Sequence, residues 1–150
     1  MGLENGHYRI VNVHSGTAMD ASGTDEGTVH GWERHDGSNQ HWIVSENDGK
    51  WEIRNVAFGL FLRPLSADHS DISDGTPLIV SESPYGWHIY EDEDDDTYRL
   101  YVPEFHRPIT VDLAEGGNPR NGTPILLWEK IDENRNQVWR FERSKPTTFQ

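Results

Sequence analysis

The chain has 150 residues, a formal charge of −13 and no cysteine, a length that fits a single domain over residues 1–150 and lets folding bury roughly two-thirds of the surface of the unfolded chain. The missing cysteines exclude a disulfide framework and a thiolate zinc site and point to a reducing compartment. The acidic balance makes nucleic acid and anionic membrane surfaces poor partners, and six Trp, five Tyr and five Phe exclude a disordered chain.

Residues 1–9 lack the basic start and apolar run of a signal peptide, the start Met1-Gly2-Leu3-Glu4-Asn5-Gly6 lacks the Ser/Thr of a myristoylation signal, and no apolar stretch reaches membrane-spanning length. The expected location is therefore the cytoplasm, with unconventional release as a route outward and no direct membrane insertion. The first strand is His7-Tyr8-Arg9-Ile10-Val11-Asn12-Val13, which alternates as a half-buried strand does. Its pattern recurs with a period in the forties. An aromatic stands two residues before an aliphatic at Tyr8 and Ile10, at Trp51 and Ile53, and at Tyr98 and Leu100. Each copy then turns at a Gly-Thr pair (Gly27-Thr28, Gly75-Thr76, Gly122-Thr123), runs through a short apolar stretch and closes on Trp42, Trp87 or Trp139. The repeats run over about 6–49, 50–96 and 97–144, with Ser144 to Gln150 left as a tail. Turn formers such as Asn47-Asp48-Gly49 and Asn121-Gly122 divide the runs into hairpins, so the chain is predicted to be all-β. Three copies that each fail to bury their apolar face alone close best into a barrel around a pseudo-threefold axis.

The copies of Gly-Thr-Pro-x-x-x-Trp followed by Asn-Gln-x-Trp, clearest at Gly122 to Trp128 and Asn136 to Trp139, resemble the ricin-B-type lectins and their Gln-x-Trp repeat. The missing cysteines and the Gly6-His7-Tyr8-Arg9-Ile10 start are similar to the mushroom branch of that family, near the Clitocybe and Macrolepiota lectins. The resemblance implies a β-trefoil and a non-catalytic protein that binds galactose- or N-acetylgalactosamine-type glycans of glycoproteins or glycolipids. It also implies a role in fungal defence and a homodimer, in which one site per chain becomes bivalent.

A galactose-type sugar presents an axial hydroxyl beside another hydroxyl, and an apolar C–H patch on one ring face. Its recognition needs a carboxylate acceptor, amide groups and a flat aromatic. The family's pattern carries these roles to Asp20, Trp32, Asn39 and Gln40 in the first repeat, with His30 and Gly31 just before the aromatic, where many relatives have Gln in place of His30. In the third repeat the matching set is Asp112, Trp128, Asn136 and Gln137, a second candidate site. Leu126 stands there in place of a polar residue, and 130–135 lengthens the loop that follows, which is expected to move Trp128 or cover the pocket. The second repeat has Arg63, Ser81 and Tyr85-Gly86 at these positions and is expected to bind no sugar, and the three closing tryptophans are assigned to the core.

Other features read as structure. The histidines follow no zinc-ligand spacing, so neither a metal nor another cofactor is expected. The run from Glu91 to Asp96 lacks the glycine and closing glutamate of a calcium loop and is predicted to be a hairpin tip. Asn121-Gly122-Thr123 spells a glycosylation sequon but repeats the turn chemistry of the other copies. No nucleophile elbow, Walker loop or dinucleotide fingerprint occurs, so catalytic residues are not assigned. A competing function on the same scaffold is protease inhibition through surface loops, at Ser66 to Gly75 or Asp112 to Asn121, which would leave the Asp20 pocket idle.

Overall fold

The structure is a computed structural model that describes residues 2–23 and 27–144; all but the first residue of the tail from Ser144 lies outside the described residues. Twelve strands follow the three repeats: β1 (Gly6–Asn12), β2 (Ala18–Ala21), β3 (Val29–Trp32) and β4 (Trp42–Asn47), then β5 (Lys50–Asn55), β6 (Phe61–Pro64), β7 (Leu78–Ser81) and β8 (His88–Glu91), then β9 (Thr97–Tyr101), β10 (Ile109–Leu113), β11 (Thr123–Glu129) and β12 (Trp139–Arg143).

The first and last strands of each repeat close a six-stranded barrel. β1 pairs with β4 and β12, β4 with β5, β8 with β9, and β9 with β12. The ring is completed where Trp51 and Trp87 exchange backbone hydrogen bonds of 2.8 Å, which leaves no edge for another chain to extend. Asn47 faces Lys50 across a two-residue turn whose Asp48 and Gly49 have φ of 58° and 80°, the primed turn that Asn-Asp-Gly anticipates.

The middle strands form three hairpins, β2–β3, β6–β7 and β10–β11, that cap one end of the barrel. They meet cyclically: Thr123 pairs with Gly31, Thr28 with Ile79, and Pro77 with Leu126. This is the β-trefoil. The Gly-Thr turns make the junction possible, because Gly27, Gly75 and Gly122 have φ of 77°, 96° and 95°, and a β carbon on Gly27 would lie 2.9 Å from the Val80 carbonyl oxygen. Asn121 of the sequon is used in the same junction: its Oδ1 accepts from the Glu33 backbone N–H at 2.8 Å and its Nδ2 donates to Glu33 Oε1 at 3.1 Å.

The core fills the barrel with Ile10, Ile53 and Leu100 from the opening strands and with the closing tryptophans, all fully buried. Each indole N–H finds a carbonyl. Trp42 donates to Met19, Trp87 to Leu62 and Trp139 to Val111, at 3.1, 3.0 and 3.1 Å. Those acceptors immediately precede Asp20, Arg63 and Asp112, so each closing Trp pins the strand that carries the polar residue of its repeat. The run 91–96 forms the β8–β9 hairpin tip as predicted, yet it is tethered as well as solvated: Asp92 accepts from Arg99 Nε at 3.0 Å.

Candidate functional site

Strand alternation puts Asp20 of β2 directly opposite His30 of β3, and Ala18 opposite Trp32, so His30 and Trp32 share a face on either side of the intervening Gly31. The rings of His30 and Trp32 lie 5.1 Å apart. A single 3-10 turn, Ser38–Gln40, brings the amides over the same hairpin. Asp20, His30, Trp32 and Asn39, together with His35, Ser22 and Gly23, wall a pocket of about 270 Å³.

Asp20 is the fixed point of this pocket, only 3% exposed. Its Oδ1 lies 2.8 Å from His30 Nε2, and its Oδ2 accepts from Gln40 Nε2 at 2.9 Å. A carboxylate offers about four acceptor positions, so two remain for ligand hydroxyls. A carboxylate only accepts, so in a hydrogen bond between the two His30 Nε2 is the donor. His35 adds a third polar group, its Nε2 3.7 Å from Asp20 Oδ2, and its ring is fixed because Nδ1 accepts from the Gly37 backbone N–H at 2.9 Å.

Two of the sequence-assigned residues play different parts from those expected. Gln40 is fully buried: it donates to Asp20 and to the Glu33 carbonyl and accepts from the His35 backbone N–H at 3.0 Å, so it holds Asp20 and the loop from beneath instead of facing a ligand. Gly31 faces inward, where a β carbon would come within 2.8 Å of Leu113 Cδ1, and it serves hairpin packing. Asn39 does line the pocket, with Nδ2 donating to the Ala21 carbonyl at 3.1 Å.

The third repeat builds the same seat. Asp112 on β10 stands opposite Leu126 on β11, and Trp128 stands opposite Thr110. The 3-10 turn Arg135–Gln137 supplies Asn136 Nδ2 to Asp112 Oδ1 at 3.2 Å and Gln137 Nε2 to Oδ2 at 3.0 Å. Trp128 keeps its place with 40% of its surface exposed, so the longer loop after it does not displace it. That loop instead supplies Ile131 and Asn134 to the wall of a pocket of about 210 Å³, with Glu115 and Gly116 on the opposite side. Gln137, like Gln40, is buried beneath its aspartate. Burial pushes the Asp112 carboxyl up to about 6, reinforced by Asp74 and opposed by the hydrogen bonds from Gln137 and Asn136.

In the second repeat Arg63 stands opposite Ile79, and Tyr85 packs on Trp87 with ring centroids 4.9 Å apart. No carboxylate occupies the seat. A further hollow of about 270 Å³ lies between Leu3, Tyr8 and Phe141, bounded by the Arg143–Glu4 ion pair. Among the described residues no group of three or more His, Asp or Glu is gathered to hold a metal ion.

The sequence reading missed the arginines behind both pockets. Arg9, on β1, donates to the His35 carbonyl at 3.1 Å and to Asp36 at 3.2 Å. Arg99, its counterpart on β9 and 2% exposed, donates to Gln137 Oε1 at 3.0 Å and to the Asp132 carbonyl at 2.8 Å. The signal was available: Tyr8-Arg9-Ile10 and Tyr98-Arg99-Leu100 both hold Arg, whereas Trp51-Glu52-Ile53 of the repeat without a carboxylate seat does not.

Residues 2–81 match the family model described as ricin-type beta-trefoil lectin domain-like. Among solved structures, the chain is similar to the Macrolepiota procera ricin B-like lectin in complex with lactose, at 32% identity over 96% of this chain and 100% of that one, with a TM-score of 0.86. It superposes on the Rhizoctonia solani agglutinin at 24% identity, 96% and 99% coverage and a TM-score of 0.82, and on the designed threefold-symmetric protein ThreeFoil at 24%, 93%, 100% and 0.79. No curated protein matches significantly.

Proposed function

We propose a function from one premise: the chain belongs to the ricin-type β-trefoil lectin-like family. In this reading it is a non-catalytic carbohydrate-binding protein that takes a terminal galactose or N-acetylgalactosamine in its first-repeat pocket. The observation that carries it is the buried Asp20 carboxylate, held at both oxygens by His30 and Gln40 beneath the half-buried Trp32. Two adjacent hydroxyls donate to the free lone pairs of Asp20, Asn39 completes the polar contacts, and the apolar face of the ring lies on Trp32. The lactose complex of the Macrolepiota procera lectin supports a galactose-bearing ligand here.

The third-repeat pocket is the second and weaker site in this proposal, since Leu126 gives its aspartate an apolar neighbour. The defence role and the cytoplasmic location belong to the same reading, supported by the mushroom resemblance and the lack of cysteine. A glycan array followed by titration calorimetry with galactosides tests it. Galactose-terminated glycans should dominate the array; a folded protein that binds none of them, or that prefers glycans without terminal galactose or N-acetylgalactosamine, refutes it. The inhibitor alternative would act through Ser66 to Gly75 or Asp112 to Asn121; in the second of these loops 114–116 also forms a wall of the third pocket.

A further inference from the structure

The first two repeats reverse direction after their opening strand in a turn headed by asparagine. Asn12 Oδ1 accepts from the backbone N–H groups of His14 and Ser15 at 3.1 and 3.2 Å; Asn55 Oδ1 accepts from those of Ala57 and Phe58 at 3.1 and 3.3 Å. The other end of each asparagine reaches the preceding repeat's amide turn. Asn12 Nδ2 donates to the Asn136 carbonyl and Asn55 Nδ2 to the Asn39 carbonyl, both at 3.0 Å. Each turn is thus hung on the pocket of its neighbour, Ser15 beside the third-repeat pocket and Phe58 beside the first.

Phe58 is therefore an aromatic, 44% exposed, whose backbone N–H is held by Asn55, the residue that in turn donates to the Asn39 carbonyl of the pocket. Gly23 joins the two. It lies in the pocket wall, and a β carbon built on it would sit 4.0 Å from Phe58 Cζ, an ordinary van der Waals separation. An exposed apolar ring next to a polar pocket, reached across a residue without a side chain, matches a second pyranose ring, which presents C–H groups on one face and hydroxyls at its rim.

We infer that the first-repeat pocket continues over Gly23 onto Phe58, and that Phe58 seats the sugar unit linked to the one on Trp32, so that the site reads a disaccharide. This rests on the galactoside reading of the pocket. Calorimetry on the full chain with methyl β-galactoside, N-acetylgalactosamine and lactose tests it. Phe58→Ala should weaken lactose about three- to tenfold, the scale of a lost ring-sized apolar contact, and leave both monosaccharides unchanged. Phe58→Leu, which keeps an apolar side chain on the turn but removes the flat ring face, should do the same and decides the matter if Phe58→Ala fails to fold. Equal losses for all three sugars, no loss for any, or a loss confined to N-acetylgalactosamine overturns the disaccharide subsite while leaving the pocket assignment intact. A folded wild-type protein that binds none of the three sugars removes both readings.

Discussion

The first- and third-repeat pockets are the same seat with different neighbours. In both, a closing Trp pins the strand, an aspartate is buried at its end, a buried glutamine holds one carboxylate oxygen, and a tryptophan stands two residues along the facing strand. They part at the residue directly opposite the aspartate, which is His30 in one and Leu126 in the other. His30 gives Asp20 a ring N–H at 2.8 Å, whereas Leu126 gives Asp112 an apolar wall and burial lifts its carboxyl to about 6. The fold supplies a place for a carboxylate; the cross-strand partner sets what stands beside it.

The largest break in this comparison should come from the aromatic. Trp32→Ala is expected to abolish measurable galactoside binding with the fold intact, while Trp128→Ala removes only the minor component. Trp42→Ala is the control beneath: as a fully buried Trp it should cost about 3–5 kcal/mol of stability, seen as a lower melting temperature, where Trp32→Ala shows little change. Normal binding by Trp32→Ala would mean that the ring does not carry the sugar.

Next in size is the carboxylate itself. Asp20→Asn exchanges an acceptor oxygen for a donor facing Gln40 or a ligand hydroxyl, and losing one charge-assisted hydrogen bond costs about 1.5–3 kcal/mol, more than tenfold in affinity. Asp112→Asn should leave most of the binding. Calorimetry that ranks the two in reverse would make the third repeat the principal site.

The threefold order, the hairpins and the buried tryptophans were legible because they follow from alternation, turn chemistry and recurrence within single segments. Asp20, Trp32 and Asn39 were legible for the same reason, each holding a fixed place in the repeat. What escaped lies across segments. Gln40 carries the same motif signal as Asn39, yet Asn39 lines the pocket while Gln40 is fully buried, and only the fold shows which is which. His35 comes to the first pocket from a loop, Arg9 of the opening strand braces His35, and Asn55 of the next repeat holds the Asn39 carbonyl, at separations that no local pattern encodes.

The pH response sharpens the contrast. An acid whose value is raised to about 6 is largely ionised at neutral pH and protonated below that value, and a protonated Asp112 no longer accepts from two hydroxyls. Measured in the Asp20→Asn background, third-repeat affinity should therefore hold above about pH 7 and fall about tenfold per unit of pH below about 6. A third site whose affinity stays flat through that range would show that Asp112 binds without its charge.

The smallest effect expected is also the most direct test of what the cross-strand partner does. His30→Leu makes the first pocket resemble the third at the one position where the two hairpins differ opposite the carboxylate. Asp20 then keeps Gln40 but loses the ring donor on Oδ1, and an apolar side chain takes the place of a polar one beside a carboxyl that is already buried. Losing one hydrogen bond to a buried carboxylate should weaken galactoside binding at the first site about three- to tenfold at neutral pH. The reciprocal Leu126→His offers Asp112 a further donor beside Asn136 and Gln137 and should move the onset of third-site loss to lower pH. Both exchanges leave the hairpin backbones alone, since positions 30 and 126 are paired strand residues in either pocket. If His30→Leu keeps the wild-type affinity, the difference between the pockets lies instead in their rims, with Ser22, Gly23 and His35 around one and Glu115, Ile131 and Asn134 around the other.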